Sequence, residues 1–251
     1  MITIKNKIAI QKMQTAGAFL AEIFEGLRDI VKAEITTLEI DAWIAQQLSK
    51  KSLVSATKGY KGYKHSSCIS INDEVVHGVP GKRVVALNDL VKIDICASYK
   101  GYCADAARPY YVGVMPNDVK EFVKTAADAL DKGISKARAG NRLTDISHSI
   151  QIEVEKHGFG VVRDFAGHGI GKQMHEDPEI LNYGAPGEGP VLRSGMTFAI
   201  EPMITHGSYQ VCVMQDSWTV KTKDKSLAAH VEDTVLITDD EPRILTRIKS
   251  Y

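Results

Sequence analysis

Two aspartates stand close together in the stretch Val91-Lys92-Ile93-Asp94-Ile95-Cys96-Ala97-Ser98-Tyr99-Lys100-Gly101-Tyr102-Cys103-Ala104-Asp105. Val91, Ile93 and Ile95 alternate with Lys92, Asp94 and Cys96, the period-two pattern of a strand. With Tyr99-Lys100 as the tip of a hairpin closed by Ser98 and Gly101, Asp94 is expected directly opposite Asp105 on one face. Two like charges would then lie roughly 5 Å apart. Such a pair survives if one carboxyl keeps its proton, or if a cation lies between them.

A cation needs further ligands, and the second half of the chain offers them. His168 is flanked by glycines in Ala166-Gly167-His168-Gly169-Ile170-Gly171, which leaves the imidazole uncovered. Glu201 ends the apolar strand Met196-Thr197-Phe198-Ala199-Ile200 and is followed by Pro202. Glu232 lies in a strand expected over Ala229–Ile237, on the face of Thr234. Asp94, Asp105, His168, Glu201 and Glu232 make an oxygen-rich set with one nitrogen. Its charge of about minus four is matched by two divalent ions, and the donor type suits Mn, Fe, Co or Zn. Two ions roughly 3.5–4 Å apart share a water, lower its pKa and hold a carbonyl against it.

Four amphipathic helices are expected around these strands. Ile10, Met13, Gly17, Leu20, Ile23, Phe24 and Leu27 recur at helical spacing over Asn6–Val31. Thr36-Thr37-Leu38-Glu39 has the form of a capping box and opens a second helix to about Lys51. Pro116–Arg138 and Leu143–Lys156 read as two more, with Gly59–Ser67 as an irregular loop and Cys68–Asn72 as a short strand. Setting Glu39-Ile40 over Asp145-Ile146 also aligns Ile44 with Ile150 and Leu48 with Val154. This weak internal repeat implies two similar α+β halves with a site between them.

Composition narrows the class. At 251 residues and 44% hydrophobic content the chain can bury a large core. Lys+Arg and Asp+Glu both number 31, so no basic excess points to nucleic acid. Cys68, Cys96, Cys103 and Cys212 show no Cys-x-x-Cys spacing, and no signal peptide or membrane-length apolar run is seen. A cytoplasmic protein with reduced thiols and no membrane contact is expected.

Several stretches together resemble the type I methionine aminopeptidases, pita-bread enzymes of peptidase family M24. They are Ser70–Pro80, Lys92-Ile93-Asp94-Ile95, Gly101–Asp105, Gly167–Gly171 with His175-Glu176-Asp177-Pro178, Phe198–Met203, and Asp216–Val220 with Glu232–Val235. The resemblance implies an α+β fold, a pseudo-twofold pair of helix-helix-antiparallel-sheet halves with the site between them. One catalytic domain spans 1–251, with halves about 1–112 and 113–251. It also implies that Asp94 chelates one metal ion, His168 and Glu201 the other, and that Asp105 and Glu232 bridge both.

By the same resemblance His77 places the substrate and leaving amine, and His175 stabilises the tetrahedral intermediate. Glu201 shuttles a proton as a metal-bridged hydroxide attacks the first peptide bond, and Asp94 accepts the free amine. Tyr60, Tyr63, Cys68 and Trp218, with Met174, would form a methionine pocket. The implied substrate is an N-terminal peptide or nascent chain, with proximity to the ribosome and a monomeric enzyme.

The chain departs from the family pattern at Thr57, Lys61, Met174, His230, Asp233 and Ala106-Ala107-Arg108-Pro109. None of these is among the five ligands, so pocket shape rather than catalysis is affected. Three alternatives stay open: a divergent aminopeptidase with another residue preference, a relative that cleaves before proline, and a non-catalytic binding module on the same fold.

Overall fold

A computed structural model describes residues 1–248; residues 249–251, the end of the expected domain, lie outside the described residues. Four helices are formed, α1 (Lys7–Ile30), α2 (Thr37–Lys50), α3 (Asn117–Lys136) and α4 (Leu143–Lys156). The first half carries β1 (Val54–Ser55), β2 (Cys68–Ile71), β3 (Glu74–Val76), β4 (Leu90–Tyr99) and β5 (Tyr102–Tyr111). The second carries β6 (Gly160–Val161), β7 (Gly167–Gly169), β8 (Glu176–Ile180), β9 (Thr197–Ile200), β10 (Met203–Thr205) and β11 (Val211–Val213). β12 (Val220–Thr222), β13 (Ala228–His230), β14 (Glu232–Leu236) and β15 (Arg243–Ile244) follow. No helix of the described residues is long and apolar enough to cross a membrane.

α1 and α2 begin where short polar side chains satisfy their free N–H groups. Asn6 Oδ1 accepts from Ala9 N at 2.9 Å, and Thr36 and Glu39 form the expected reciprocal capping box. α2 and α4 have equal length and stand at the offset that aligns Glu39-Ile40 with Asp145-Ile146. Each is preceded by an isolated β-bridge, Thr36 to Val84 and Arg142 to Val191. The two halves are thus built alike, each a helix pair laid on antiparallel strands.

The central nine-stranded sheet runs β1-β4-β5-β14-β9-β7-β8, with β2 on β4 and β15 on β14. Ile93, Ile95, Ala104 and Ala106 pack under α1 and α2, and Phe198, Ile200 and Val235 pack with α3 and α4. Those residues occupy the helix-facing side of the sheet. Its other side carries the polar residues discussed below.

Three local expectations are corrected. The hairpin pairs Tyr99 with Tyr102, so its tip is Lys100-Gly101 and not Tyr99-Lys100. Both tip residues have positive φ, 48° and 78°, the requirement of a type I′ turn that Gly101 meets without strain. Asp94 therefore faces Ala107, and Asp105 faces Cys96. The register is displaced by an even step, so the two aspartates keep one face and become diagonal neighbours.

The strand expected over Ala229–Ile237 is two strands. β13 pairs with β10 in a three-stranded sheet, while β14 belongs to the large one, and Val231 is the corner between them. Its antiparallel partner turns the same corner, from β9 to β10 through Glu201-Pro202.

The His168 imidazole, expected to be uncovered, is buried, because His168 sits in β7 between β8 and β9. Its glycines serve close strand approach. A Cβ on Gly167 would lie 2.5 Å from Ala199 O, and one on Gly169 would lie 2.0 Å from Asp177 O.

Candidate metal centre and active site

Sheet register gathers the five residues by simple alternation. Asp94 lies opposite Ala107, and Ala107 opposite Glu232, a row across β4, β5 and β14. Asp105 is two residues from Ala107 and shares its face. Thr234, two beyond Glu232, lies opposite Ala199, which lies opposite His168. Glu201 follows two residues after Ala199. All five side chains thus leave the side of the sheet away from the helices.

They meet at short range. One ligand atom each of Asp105, His168 and Glu232 lies within 4.8 Å of the others. His168 Nε2 stands 3.5 Å from Glu201 Oε1 and 4.0 Å from Asp105 Oδ2. His168 Nδ1 is 3.0 Å from Gly169 O, a carbonyl that can only accept, so Nδ1 carries the hydrogen and Nε2 turns its lone pair to the carboxylates. Asp105 Oδ1 and Glu232 Oε1 are buried with no hydrogen-bond partner. Asn182 Nδ2 holds the Glu201 carbonyl at 3.0 Å.

Burial and mutual repulsion govern protonation here. Burial, then the Asp105 charge, pushes Asp94 well above the usual carboxylate range. Glu232 is raised in the same way, by burial and then Asp105. Burial and Glu201 bring Asp105 to about 7, and burial brings Glu201 to about 8. Burial, reinforced by His175, lowers His168 to about 3, so its imidazole is neutral at physiological pH. Without a cation these carboxyls hold protons; with one, they are a ready set of anionic donors.

A cavity of about 110 Å³ opens over this cluster, and every site residue named from the sequence lines it. Tyr63 and Trp218 meet edge to face at 4.9 Å, and Tyr63 OH donates to Ser67 O at 3.0 Å, which fixes that wall. His175 Nδ1 lies 3.1 Å from Tyr60 OH, and its ring stacks edgewise on His168 at 4.4 Å. His77, at φ 58°, packs against Phe165 at 5.6 Å. Burial, with His230 and His175 near, lowers His77 to about 4. Past His77 and His175 the cavity widens into an open cleft of about 1090 Å³ bordered by Phe165, Lys61 and Lys172.

Of the departures, Thr57 lines the cavity with its hydroxyl 3.0 Å from Ser55 Oγ, and Met174 forms part of the wall. His230, absent from the sequence-derived site list, is buried with Nε2 3.2 Å from Glu201 Oε2. Its place next to the corner at Val231 hid it, because alternation along one strand cannot be carried across a change of sheet. Asp233 and Arg108 leave the opposite face and meet there at 2.6 Å.

Comparison with known proteins agrees with this geometry. The family model for metallopeptidase family M24 matches residues 11–239. A methionine aminopeptidase of Clostridium acetobutylicum is 47% identical over 98% of this chain and 99% of its own length. Methionine aminopeptidase 1 of Bacillus subtilis is 42% identical over 99% of this chain and 100% of its own. The crystal structure of methionine aminopeptidase from Thermotoga maritima superposes with a TM-score of 0.97 at 44% identity, covering 99% of this chain and 100% of that one. An X-Pro aminopeptidase from the same organism has a TM-score of 0.78 at 22% identity and shares the fold, this chain covering 63% of it. The chain belongs to metallopeptidase family M24 and, within it, to the methionine aminopeptidases.

Proposed function

We propose that the chain removes the N-terminal methionine from peptides and nascent proteins, with two divalent ions held by Asp94, Asp105, His168, Glu201 and Glu232. The observation that carries this reading is one small cavity with a floor of carboxylates and imidazole and a wall of Tyr63, Cys68, Met174 and Trp218. The orphaned oxygens of Asp105 and Glu232 fit a cation, and the donor set fits Co, Mn, Fe or Zn. When bound, the ions supply Lewis acidity that activates water and polarises the scissile carbonyl. Asp94 would help hold one ion and His168 and Glu201 the other, with Asp105 and Glu232 shared between them.

The remaining steps belong to side chains. The aromatic and thiol wall takes the unbranched thioether, whose flexibility suits a narrow pocket. The Asp94 carboxylate receives the substrate's free amine. The Glu201 carboxylate takes a proton from the attacking water and returns it to the leaving amine. His175, steadied by Tyr60 OH, donates to the oxygen on which negative charge develops, and His77 orients the amide at the mouth of the cleft. The emerging chain leaves along the open cleft. Residues 1–251 act as one catalytic unit, with halves about 1–112 and 113–251, because the ligands are drawn from both. Acting on nascent chains places the enzyme in the cytoplasm near the ribosome, as a monomer.

The test is release of the first residue from Met-Ala-Ser, Leu-Ala-Ser, Ala-Ala-Ser and Ala-Pro-Ser by metal-stripped protein reloaded separately with Mn, Fe, Co or Zn. Metal-dependent cleavage of the methionine peptide alone is expected. Cleavage of another peptide would overturn the substrate, and two bound ions without cleavage would overturn the enzyme.

A further inference from the structure

On the helix-facing side of the sheet, directly behind the five ligands, lies a second ionic cluster that the proposed reaction does not use. Asp233 follows Glu232 in β14 and points the other way, fully buried. It accepts from Arg108 Nη2 at 2.6 Å, Thr246 Oγ1 at 2.7 Å and Arg247 Nε at 2.7 Å. Arg108 follows Ala107, the residue opposite Glu232. Its Nη1 donates to Ala107 O at 2.9 Å and to Glu232 O, and its Nη2 donates also to Thr246 O at 3.0 Å. The guanidinium stands 5.4 Å from the Phe24 ring of α1, while Arg247 reaches Asp131 of α3 at 2.7 Å. The cluster therefore sits where the two helix pairs adjoin.

Its position matters because Glu232 is the first residue of β14, immediately after the corner at Val231. The β5–β14 ladder pairs only Glu232 with Ala107 and Asp233 with Ala106. The longer ladder to β9 begins only at Asp233, so the Glu232 backbone itself is held by the short β5 side alone. The Arg108 guanidinium grips the carbonyls of both Ala107 and Glu232, and Asp233 fixes the guanidinium. Ala107 also faces Asp94, so the same grip sets the separation of Asp94 from Glu232 across the middle strand.

We propose that Arg108 and Asp233 are positioning residues for the metal centre, a buried ion pair that holds the Glu232 backbone from behind the sheet. The proposal rests on the reading of Asp94 and Glu232 as ligands. Arg247 shares Asp233 but touches no ligand, so it tests whether the cluster acts only through stability.

The experiment is calorimetric titration of MnCl2 into metal-stripped full-length protein, with thermal melting of each variant. Asp233→Asn and Arg108→Met are expected to weaken Mn²⁺ binding by about 10–100-fold, the usual effect of losing a group that orients a ligand. Arg247→Gln is expected to lower Tm and leave Mn²⁺ affinity unchanged. Because a lone buried charge can prevent folding, the paired variant Arg108→Met/Asp233→Leu leaves neither charge behind. It is expected to fold and still bind Mn²⁺ weakly. Wild-type affinity in that folded variant, or an equal loss in Arg247→Gln, would overturn the positioning role. A wild-type protein that binds no Mn²⁺ would instead overturn the ligand reading on which the proposal rests.

Discussion

Asp105 Oδ1 and Glu232 Oε1 are both buried carboxylate oxygens without a hydrogen-bond partner, and the two carboxylates come within 4.8 Å of each other. In a low-dielectric interior such a pair is accommodated by protons or by a cation, and the choice between them depends on pH.

The metal-free protein is therefore expected to lose stability as pH rises from 7 to 8. Folded Asp105 titrates near 7 against an ordinary 3.8, and Glu201 near 8 against 4.5. The folded state thus binds more protons than the unfolded one. The stability this gives is full below the ordinary carboxylate values and is lost as pH climbs through the raised ones. His168, lowered to about 3, and His77, lowered to about 4, are neutral in the folded state over this window and do not reverse the slope. Melting at pH 7 and 8 after chelation should show the fall. Saturating Mn²⁺ should offset it, since the ion binds the ionised carboxylates and at 100 times its Kd adds about 2.7 kcal/mol. A pH-independent Tm in the metal-free protein would contradict this account.

His175→Ala should lower kcat for methionyl peptides by about 10²–10³, the usual effect of losing one donor to a developing oxyanion. KM and Mn²⁺ stoichiometry should change little, because His175 touches His168 only edge to face. Steady-state kinetics with metal analysis separates the outcomes, and loss of bound metal would reassign His175 to holding the centre.

Gly169→Ala should be strongly destabilising although it changes no ligand. The added Cβ would stand 2.0 Å from Asp177 O and 2.9 Å from Glu176 O, both backbone atoms of β8. The strands must part, at a cost of about 3 kcal/mol, the upper end of the usual range for overpacked interiors. Urea unfolding of the variant measures this directly; wild-type stability would mean that β7 and β8 lie farther apart than described.

The helices were legible because their signals are local. The Thr36–Glu39 box and the apolar spacing of Ile146, Ile150 and Val154 lie within single elements, and α2 and α4 begin and end close to where those signals place them. The common face of Asp94 and Asp105 was legible for a similar reason. Any even error in hairpin register preserves it, so the mistaken tip did no harm to that conclusion.

What alternation could not supply was adjacency between distant strands. Arg108 and Asp233 bond across 125 positions of sequence, and His230 comes near Glu201 only because β13 and β14 belong to different sheets. The glycines around His168 were visible, but their reason was not. They accommodate a neighbouring backbone, which no reading of one strand alone can reveal.

β14 lies at the middle of the large sheet, between β5 of the first half and β9 of the second, and its pairing of Glu232 with Ala107 joins residues far apart in the sequence. Without this strand β5 and β9 would each present an uncovered inner edge. Pairing of such long range is of the kind that slows folding. A chain that stopped before Glu232 would lack one of the five proposed ligands, so the proposed metal centre is complete only where β14 joins the two halves.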